Sequence, residues 1–435
     1  MHACAKLSLM YTRLRFIARA ALLLQTLLLT SLFSGGLLLC QPCAAETRVY
    51  LATMAPGELY FERFGHNAIV IHDSLAPPSQ NAVAYNFGYF DFNGKNFLSN
   101  FILGRMAYLG VALDAEADLQ NYVQNGRAVW LQELALNDAQ KAKLIARLRE
   151  ETTPPKDVYR YDYFRSNCST KVRDALDEAI GGALQASVQG RSHGYTFRSL
   201  GLAHAAEPRW LYLGIHAGLG PSTDQPLDIY TESFIPAALQ QAVASVQLTA
   251  PDGSHYPLVR STQNYGPVGE NKMPALPNWR WHFCVAGLIL AIAIAVGFRY
   301  RQHHFPRRFS ALLAVLTAFI FGASGLLLLF LMLFTDHQDS YFNLNFALFS
   351  PLWLLCLPAF LTGFLERASV PKPFYRRAAN LALTIAAAGI AIKVLPMVKQ
   401  QNIEWVLFCA PVILALHFAA TRTKEAIGDA AMPAS

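Results

Sequence analysis

Cys168, in the stretch RSNCSTKVRDAL (165–176), is the residue of this chain best placed by type and position to do covalent chemistry. Seven cysteines fall into three groups: Cys4, Cys40 and Cys43 near the N-terminus, Cys284, Cys356 and Cys409 in apolar runs, and Cys168 alone between them. A lone thiol closes no internal disulfide. It is either a buried, inert small hydrophobe or a nucleophile. Its surroundings favour the second. Val172, Leu176 and Ile180 recur every four residues and Gly181-Gly182 follows, which predicts a helix with Ser166 or Asn167 as N-cap and Cys168 in its first turn. Unpaired backbone N–H groups and the positive end of the helix dipole stabilise a thiolate there. The same N–H groups can hold a developing oxyanion. Asn167 and Ser169, which flank the thiol, would support it.

A thiol nucleophile needs a base. His66 and His72 lie six residues apart on a predicted strand, and even spacing puts both on one face. Asn86, on the next strand, is placed to accept the Nδ1 proton of His66, or else to make an ordinary hairpin hydrogen bond. Two histidines and a cysteine also raise a zinc site, but no His-Glu-x-x-His spacing is present, and the Cys-x-x-Cys at Cys40 and Cys43 falls in the N-terminal apolar region, apart from these residues. No metal or other cofactor is expected.

These residues must be positioned by a mixed α+β region. HNAIVIHD (66–73) and AVAYNFGYF (82–90) read as a hairpin across a Pro-Pro-Ser-Gln-Asn loop. Residues 114–125 and 137–151 read as helices, the second capped by Asn137 or Asp138, and KDVYRYDYF (156–164) as extended chain.

The rest of the chain has a different solvent. Hydrophobic residues make up 53% and charged residues only 15%, too apolar for a purely soluble protein. Runs 281–298, 309–334, 344–365, 377–395 and 403–420 each have the length to cross a bilayer. At the other end, Lys6, Arg13, Arg15 and Arg19 precede a Leu-rich stretch, and Cys43 and Ala45 sit at −3 and −1 of a cut before Glu46. Residues 1–45 therefore read as a secretory signal, with an uncleaved anchor as the alternative. The loops at 299–308 and 366–377 each carry four basic residues and the loop at 335–343 none. The positive-inside rule puts the basic loops and the 421–435 tail in the cytoplasm, and 335–343 on the side of an exported 46–275 domain. Outside the N-terminal region, these loops and the tail, 22 basic residues face 26 acidic ones. The net charge of +7 is thus a topology signal, and no nucleic-acid partner is expected.

FGHNAIVIHD, YNFGYFDF, ILGRMAYLG, YRYDYFRSNCSTKVRD and TFRSL, in this order, resemble the Lnb N-terminal periplasmic domain family, whose members join an exported domain to several C-terminal spans. TDHQDSYFNLNFALFSP (335–351) looks like the family's outward loop, with His337, Asn343 and Asn345 as its polar positions. The resemblance implies a circularly permuted papain-like (NlpC-type) domain of the lecithin–retinol acyltransferase group, then an all-α polytopic membrane domain in the inner membrane. It implies thiol-dependent N-acylation of lipoproteins: an acyl chain moves from a membrane phospholipid to Cys168, then to the amine of a diacylglyceryl lipoprotein. Permuted papain-type domains also include peptidases and amidases, so hydrolysis of cell-wall peptides is the second reading, and an outward-facing binding domain the third. Arg105, Arg127, Arg160 and Arg173 are candidates for binding lipid phosphate or for ordinary fold contacts, and Asp224 for a substrate contact or a turn.

Overall fold

Apolar residues on both parities of one strand ask for a sheet covered on both faces. In Thr47–Met54, Val49 and Leu51 are buried on one side and Ala52 and Met54 on the other. A computed structural model, describing residues 47–74, 81–92, 94, 96–269, 271–300, 303–362 and 373–421, has such a sheet. The N-terminal region expected as a signal and its cysteines, the 75–80 loop, most of the second basic loop and the tail beyond 421 lie outside the described residues.

The strands are β1 (Thr47–Met54), β2 (His66–Asp73), β3 (Ala82–Tyr89), β4 (Ala107–Asp114), β5 (Val129–Leu134), β6 (Val158–Arg160), β7 (Gln247–Thr249), β8 (His255–Pro257) and β9 (Val259–Tyr265). Seven form an antiparallel sheet in the order β6-β4-β3-β2-β1-β5-β9, and β7 pairs with β8. The helices of this domain are α1 (Phe97–Leu103), α2 (Ala115–Gln124), α3 (Asp138–Glu151), α4 (Cys168–Ala179), α5 (Ala183–Val188), α6 (Phe197–His204), α7 (Arg209–Gly218), α8 (Ile229–Glu232) and α9 (Pro236–Ala244). The predicted β2–β3 hairpin pairs as expected, and both predicted helices are present with Asp114 and Asn137 as caps. The extended run expected over 156–164 is shorter: only Val158–Arg160 joins the sheet, and Asp162 and Ser166 close a turn into α4.

Helices α3 and α4 cover one sheet face, where Leu144, Leu148, Val172 and Leu176 meet Val49, Ile69 and Phe87. Val172 and Leu176 are fully buried, each contributing about 1.5–3 kcal/mol of apolar burial. Helix α2 covers the other face through Ala115 and Leu119.

Among the described residues four helices are long and apolar enough to cross a membrane, over Arg280–Arg299, His304–Phe334, Pro373–Val394 and Ile403–Thr421; we label them α10, α11, α15 and α16, with α12–α14 between α11 and α15. The predicted span at 344–365 is not one continuous helix over its described residues. It is broken into α12 (Asn345–Leu348), α13 (Leu352–Leu355) and α14 (Leu357–Leu361). Pro351 is the N-cap of α13 and Pro358 stands in the first turn of α14, where a missing N–H costs no helical hydrogen bond and a new helix can start. Irregular backbone at membrane depth survives only inside protein; accordingly Leu348, Trp353, Cys356 and Phe360 of this segment are buried in the helical core. Backbones approach closely here: a Cβ on Gly287 would stand 2.4 Å from the Phe408 carbonyl.

Loops 335–343 and 395–402 are both fastened to the sheet domain. Asp336 N–H donates to Leu103 O (2.8 Å), Asn343 Nδ2 to Ala217 O (2.8 Å) and Gln400 Nε2 to Leu219 O (3.3 Å). The 335–343 loop therefore lies on the domain's side, as its lack of basic residues predicts.

A candidate thiol active site

Local sequence sets the position of Cys168. Asn167 Oδ1 accepts from Thr170 N–H (2.9 Å) and Thr170 Oγ1 accepts from Asn167 N–H (2.8 Å), a closed capping box that starts α4 at the cysteine. Asn167 Nδ2 also donates to Phe234 O and Tyr163 O, tying the helix start to the domain. The neighbouring Ser169 hydroxyl lies 2.9 Å from Asn67 Oδ1 and 2.7 Å from Ser233 O. Asn67 in turn donates to Thr53 Oγ1 (2.8 Å). The thiol is thus held by a cap in front and a buried polar chain behind. Because the cap takes only the Thr170 N–H, the N–H of Ser169 is left facing the sulfur, together with that of Asn67.

His66 opens β2, with its imidazole close enough to the sulfur of Cys168 that each group shifts the other's ionisation. In the register, Ala68 is opposite Asn86, so His66 and Asn86 are diagonal neighbours on the α2 side of the sheet. His66 Nε2 is 2.9 Å from Asn86 Oδ1. Asn86 Nδ2 donates to Asp118 Oδ2 at 3.0 Å. The carboxylate fixes which end of the amide is NH₂, and the amide oxygen then fixes the proton of His66 on Nε2. This reverses the expected assignment: Asn86 holds the Nε2 proton and Nδ1 is the nitrogen that faces the thiol. The Tyr122 ring stacks on His66 (6.0 Å between centroids, 14° between planes), and the Arg127 guanidinium caps the Tyr122 ring at 4.7 Å.

Burial pushes the Cys168 thiol up, but the His66 charge, the His66 hydrogen bond and the N–H groups of Asn67 and Ser169 pull harder, leaving it below the usual thiol range. Burial likewise pulls His66 down, and the facing sulfur, Asn86 and Asp118 push it above the ordinary imidazole value. Both directions favour a thiolate–imidazolium pair near neutral pH. Asp118 is itself raised by burial, against the Asn86 hydrogen bond and the His66 charge.

Gly88 lies beside Cys168, and its backbone conformation rather than lack of space asks for glycine. It sits at a bulge in β3 with φ +92°, and a Cβ there would stand 3.5 Å from Tyr161 and 3.9 Å from Cys168 Cβ.

The other residues singled out in the sequence lie elsewhere. His72 shares the face of His66, as expected, but stands at the far end of β2 opposite Arg48 and Ala82, roughly 20 Å along the strand. The set of two histidines and a cysteine therefore does not assemble. Arg173 is packed on Tyr230 and paired with Asp174 (2.7 Å). Arg127 pairs with Glu62 (3.1 Å). Asp224 forms a two-pronged, fully buried pair with Arg198 (2.8 and 2.9 Å). His337 Nε2 lies 3.2 Å from Phe101 O, Asn345 Nδ2 donates to Ala217 O (2.9 Å), and Arg105 pairs with Asp336 (3.1 Å). These last three join the sheet domain to the helices.

Sequence reasoning missed Asp118, Tyr122 and Gly88. Asp118 and Tyr122 are one helical turn apart, which puts them on one face of α2; which strand that face meets is a tertiary matter. In the Asp118→Asn protein His66 should lose basicity, because the carboxylate that favours its imidazolium and orients Asn86 is gone. The alkaline limb of its pH–turnover profile, set by the His66 imidazolium, should move to lower pH and reduce turnover above neutrality by about tenfold, while thermal stability holds. An unmoved profile would exclude a positioning role.

A thiol at a helix start, faced by a histidine that an amide and a carboxylate orient, on a mixed α/β domain fastened to apolar helices, defines a membrane protein with a cysteine–histidine centre. The chain belongs to the Lnb family. Residues 44–201 match the Lnb N-terminal periplasmic domain and residues 280–422 the Lnb transmembrane domain. Comparison with curated proteins and with solved structures gives no match. A periplasmic domain with four long apolar helices fits a multi-pass inner-membrane protein.

Proposed function

We propose that this protein is a cysteine-dependent acyltransferase that N-acylates lipoproteins. The observation that carries this is the Cys168–His66–Asn86–Asp118 array, with the thiol held below its usual range. The thiolate attacks the ester carbonyl of a phospholipid acyl chain, and N–H groups at the start of α4, that of Ser169 among them, receive the oxyanion. The C–O bond breaks, the imidazolium of His66 gives its Nδ1 proton to the departing lysophospholipid oxygen, and a thioester remains on Cys168. The α-amine of a diacylglyceryl lipoprotein then attacks the thioester. His66 takes the amine's proton and the thiolate leaves. The histidine strand precedes the cysteine helix in the chain, an order that supports a permuted papain-like domain. Five passes, the third through the broken α12–α14 segment, would put the C-terminus in the cytoplasm.

The full-length protein in phospholipid vesicles, without an acceptor, should accumulate one fatty acyl mass on the Cys168 peptide, removable by neutral hydroxylamine. Absence of that adduct, with release of peptides from purified murein instead, would turn the reading to a cell-wall peptidase.

A further inference from the structure

Helix α1 has the sequence FLSNFIL and buries none of its seven residues. Leu98 is 67% exposed and Ile102 45%, beside Phe92 at 53% and Phe61 at 42%. The rings are continuous: Phe61 to Phe92 is 6.0 Å, Phe92 to Phe97 5.4 Å and Phe97 to Phe101 6.3 Å. A contiguous apolar patch left in water would be costly and marks a site of contact.

Two further observations say what covers it. The first is height. The C-terminal end of α1 is bonded to Asp336 N–H through Leu103 O and to His337 through Phe101 O. Asp336 follows the end of the spanning helix α11 by two residues, and Leu333 and Phe334 there are both 64% exposed. The patch is therefore pinned where an apolar helix leaves the bilayer, the level at which amphipathic helices lie. The second is charge. Arg105 and Arg160, both more than half exposed, share the single carboxylate of Asp336 (3.1 and 3.2 Å). Two guanidinium groups against one carboxylate leave a positive charge beside the patch, complementary to a phosphodiester.

The patch also leads to the thiol. From Phe97 the rings pass inward through Phe90 (5.7 Å) and Tyr108 (4.9 Å) to Tyr161 (4.4 Å), and Tyr161 and Cys168 both border Gly88. Resting on the acyltransferase reading for its catalytic consequence, we infer that α1 and its flanking aromatics are the outer-leaflet docking site for the donor glycerophospholipid. Its phosphate is held by Arg105 and Arg160, and its acyl chain is guided along the Phe97–Phe90–Tyr108–Tyr161 row to Cys168.

The test places a benzophenone side chain at Leu98, at Phe101 or at Leu113, the last at the opposite end of β4, in the full-length protein in vesicles of phosphatidylglycerol and phosphatidylcholine. Irradiation should give phospholipid adducts at 98 and 101, at least about tenfold above those at 113 given the apolar contact involved. A second arm compares wild type with Leu98→Ser/Phe101→Ser and with Arg105→Gln/Arg160→Gln. Acyl-adduct formation on Cys168 should fall about tenfold in each, while alkylation of Cys168 by iodoacetamide is unchanged. Equal crosslinking at all three positions, or variants that acylate Cys168 as fast as wild type, would overturn the inference. Crosslinking at 98 and 101 in a wild-type protein that forms no acyl adduct would uphold the lipid site and remove the acyltransferase reading instead.

Discussion

In a strain that relies on this protein, Cys168→Ala should leave lipoprotein N-termini as diacylglyceryl-cysteine with a free α-amine, read directly by mass spectrometry. The expected loss of turnover is roughly 10³-fold or more, because the residue removed forms the covalent intermediate and no neighbour can replace it. Among the described residues the other cysteines are Cys284 in α10, Cys356 between α13 and α14, and Cys409 in α16, all within the membrane-helix region. The side chains that start α4 do not depend on the sulfur: the Asn167–Thr170 box and the contacts of Ser169 with Asn67 and Ser233 stay intact. Losing the sulfur should cost only about 1 kcal/mol of stability. Protein level and thermal midpoint should therefore stay close to wild type, which separates lost chemistry from lost fold. Cys168→Ser should also be inactive, since an alcohol has no comparable fraction of its anion for His66 to stabilise. Full N-acylation by Cys168→Ala would sink the thioester mechanism. N-acylation that persists when the whole gene is deleted would sink the assignment to lipoproteins.

The parts of the site that are local in sequence were legible, and the parts made by packing were not. Asn167, Cys168 and the Val172–Leu176 stripe lie within one helix, so spacing alone placed the thiol in a first turn. Strand parity put His66 and His72 on one face, but parity gives a face and not a position along it; hence His72 stands at the end of β2 far from Cys168. Asp118 lay inside a correctly predicted helix, yet nothing local says that its face meets Asn86. The same limit applies to the nitrogen of His66 that meets the thiol, which follows from the amide orientation that Asp118 imposes. In the membrane half, length and apolarity found the four long helices. In 344–365 they give the apolar run but not its breaks, because hydropathy is blind to the two prolines at the starts of α13 and α14. Asp224, His337 and Asn345 were visible as polar residues next to apolar sequence, and the structure spends them on one buried pair and on the joint between the sheet domain and the helices.

His66→Gln is expected to change both the size and the shape of the pH dependence. In the wild type, the thiolate is lost as pH falls through the depressed Cys168 value, and the imidazolium is lost as pH rises through the raised His66 value. Between them lies the thiolate–imidazolium pair, so alkylation of Cys168 should be nearly flat across the neutral range. Turnover should be bell-shaped, because its alkaline limb needs the Nδ1 proton for the departing oxygen. Glutamine removes the charge and the acid together. What then acts on the thiol is burial, which raises it, against only the N–H groups of Asn67 and Ser169. The thiol should move up past the neutral range, and its alkylation at pH 7 should drop by roughly 10²-fold as the thiolate fraction falls. Above neutrality the rate should climb about tenfold per pH unit until the thiol ionises unaided, following the thiolate fraction. Base supplied by the medium can restore the nucleophile in this way but not the proton donor. Acyl transfer in His66→Gln should therefore stay depressed by 10²-fold or more, about the size of a lost general acid–base, at the very pH where alkylation has recovered. Recovery of both together would show that His66 serves only to ionise Cys168. A flat, wild-type alkylation profile would show that the two side chains do not form the pair at all.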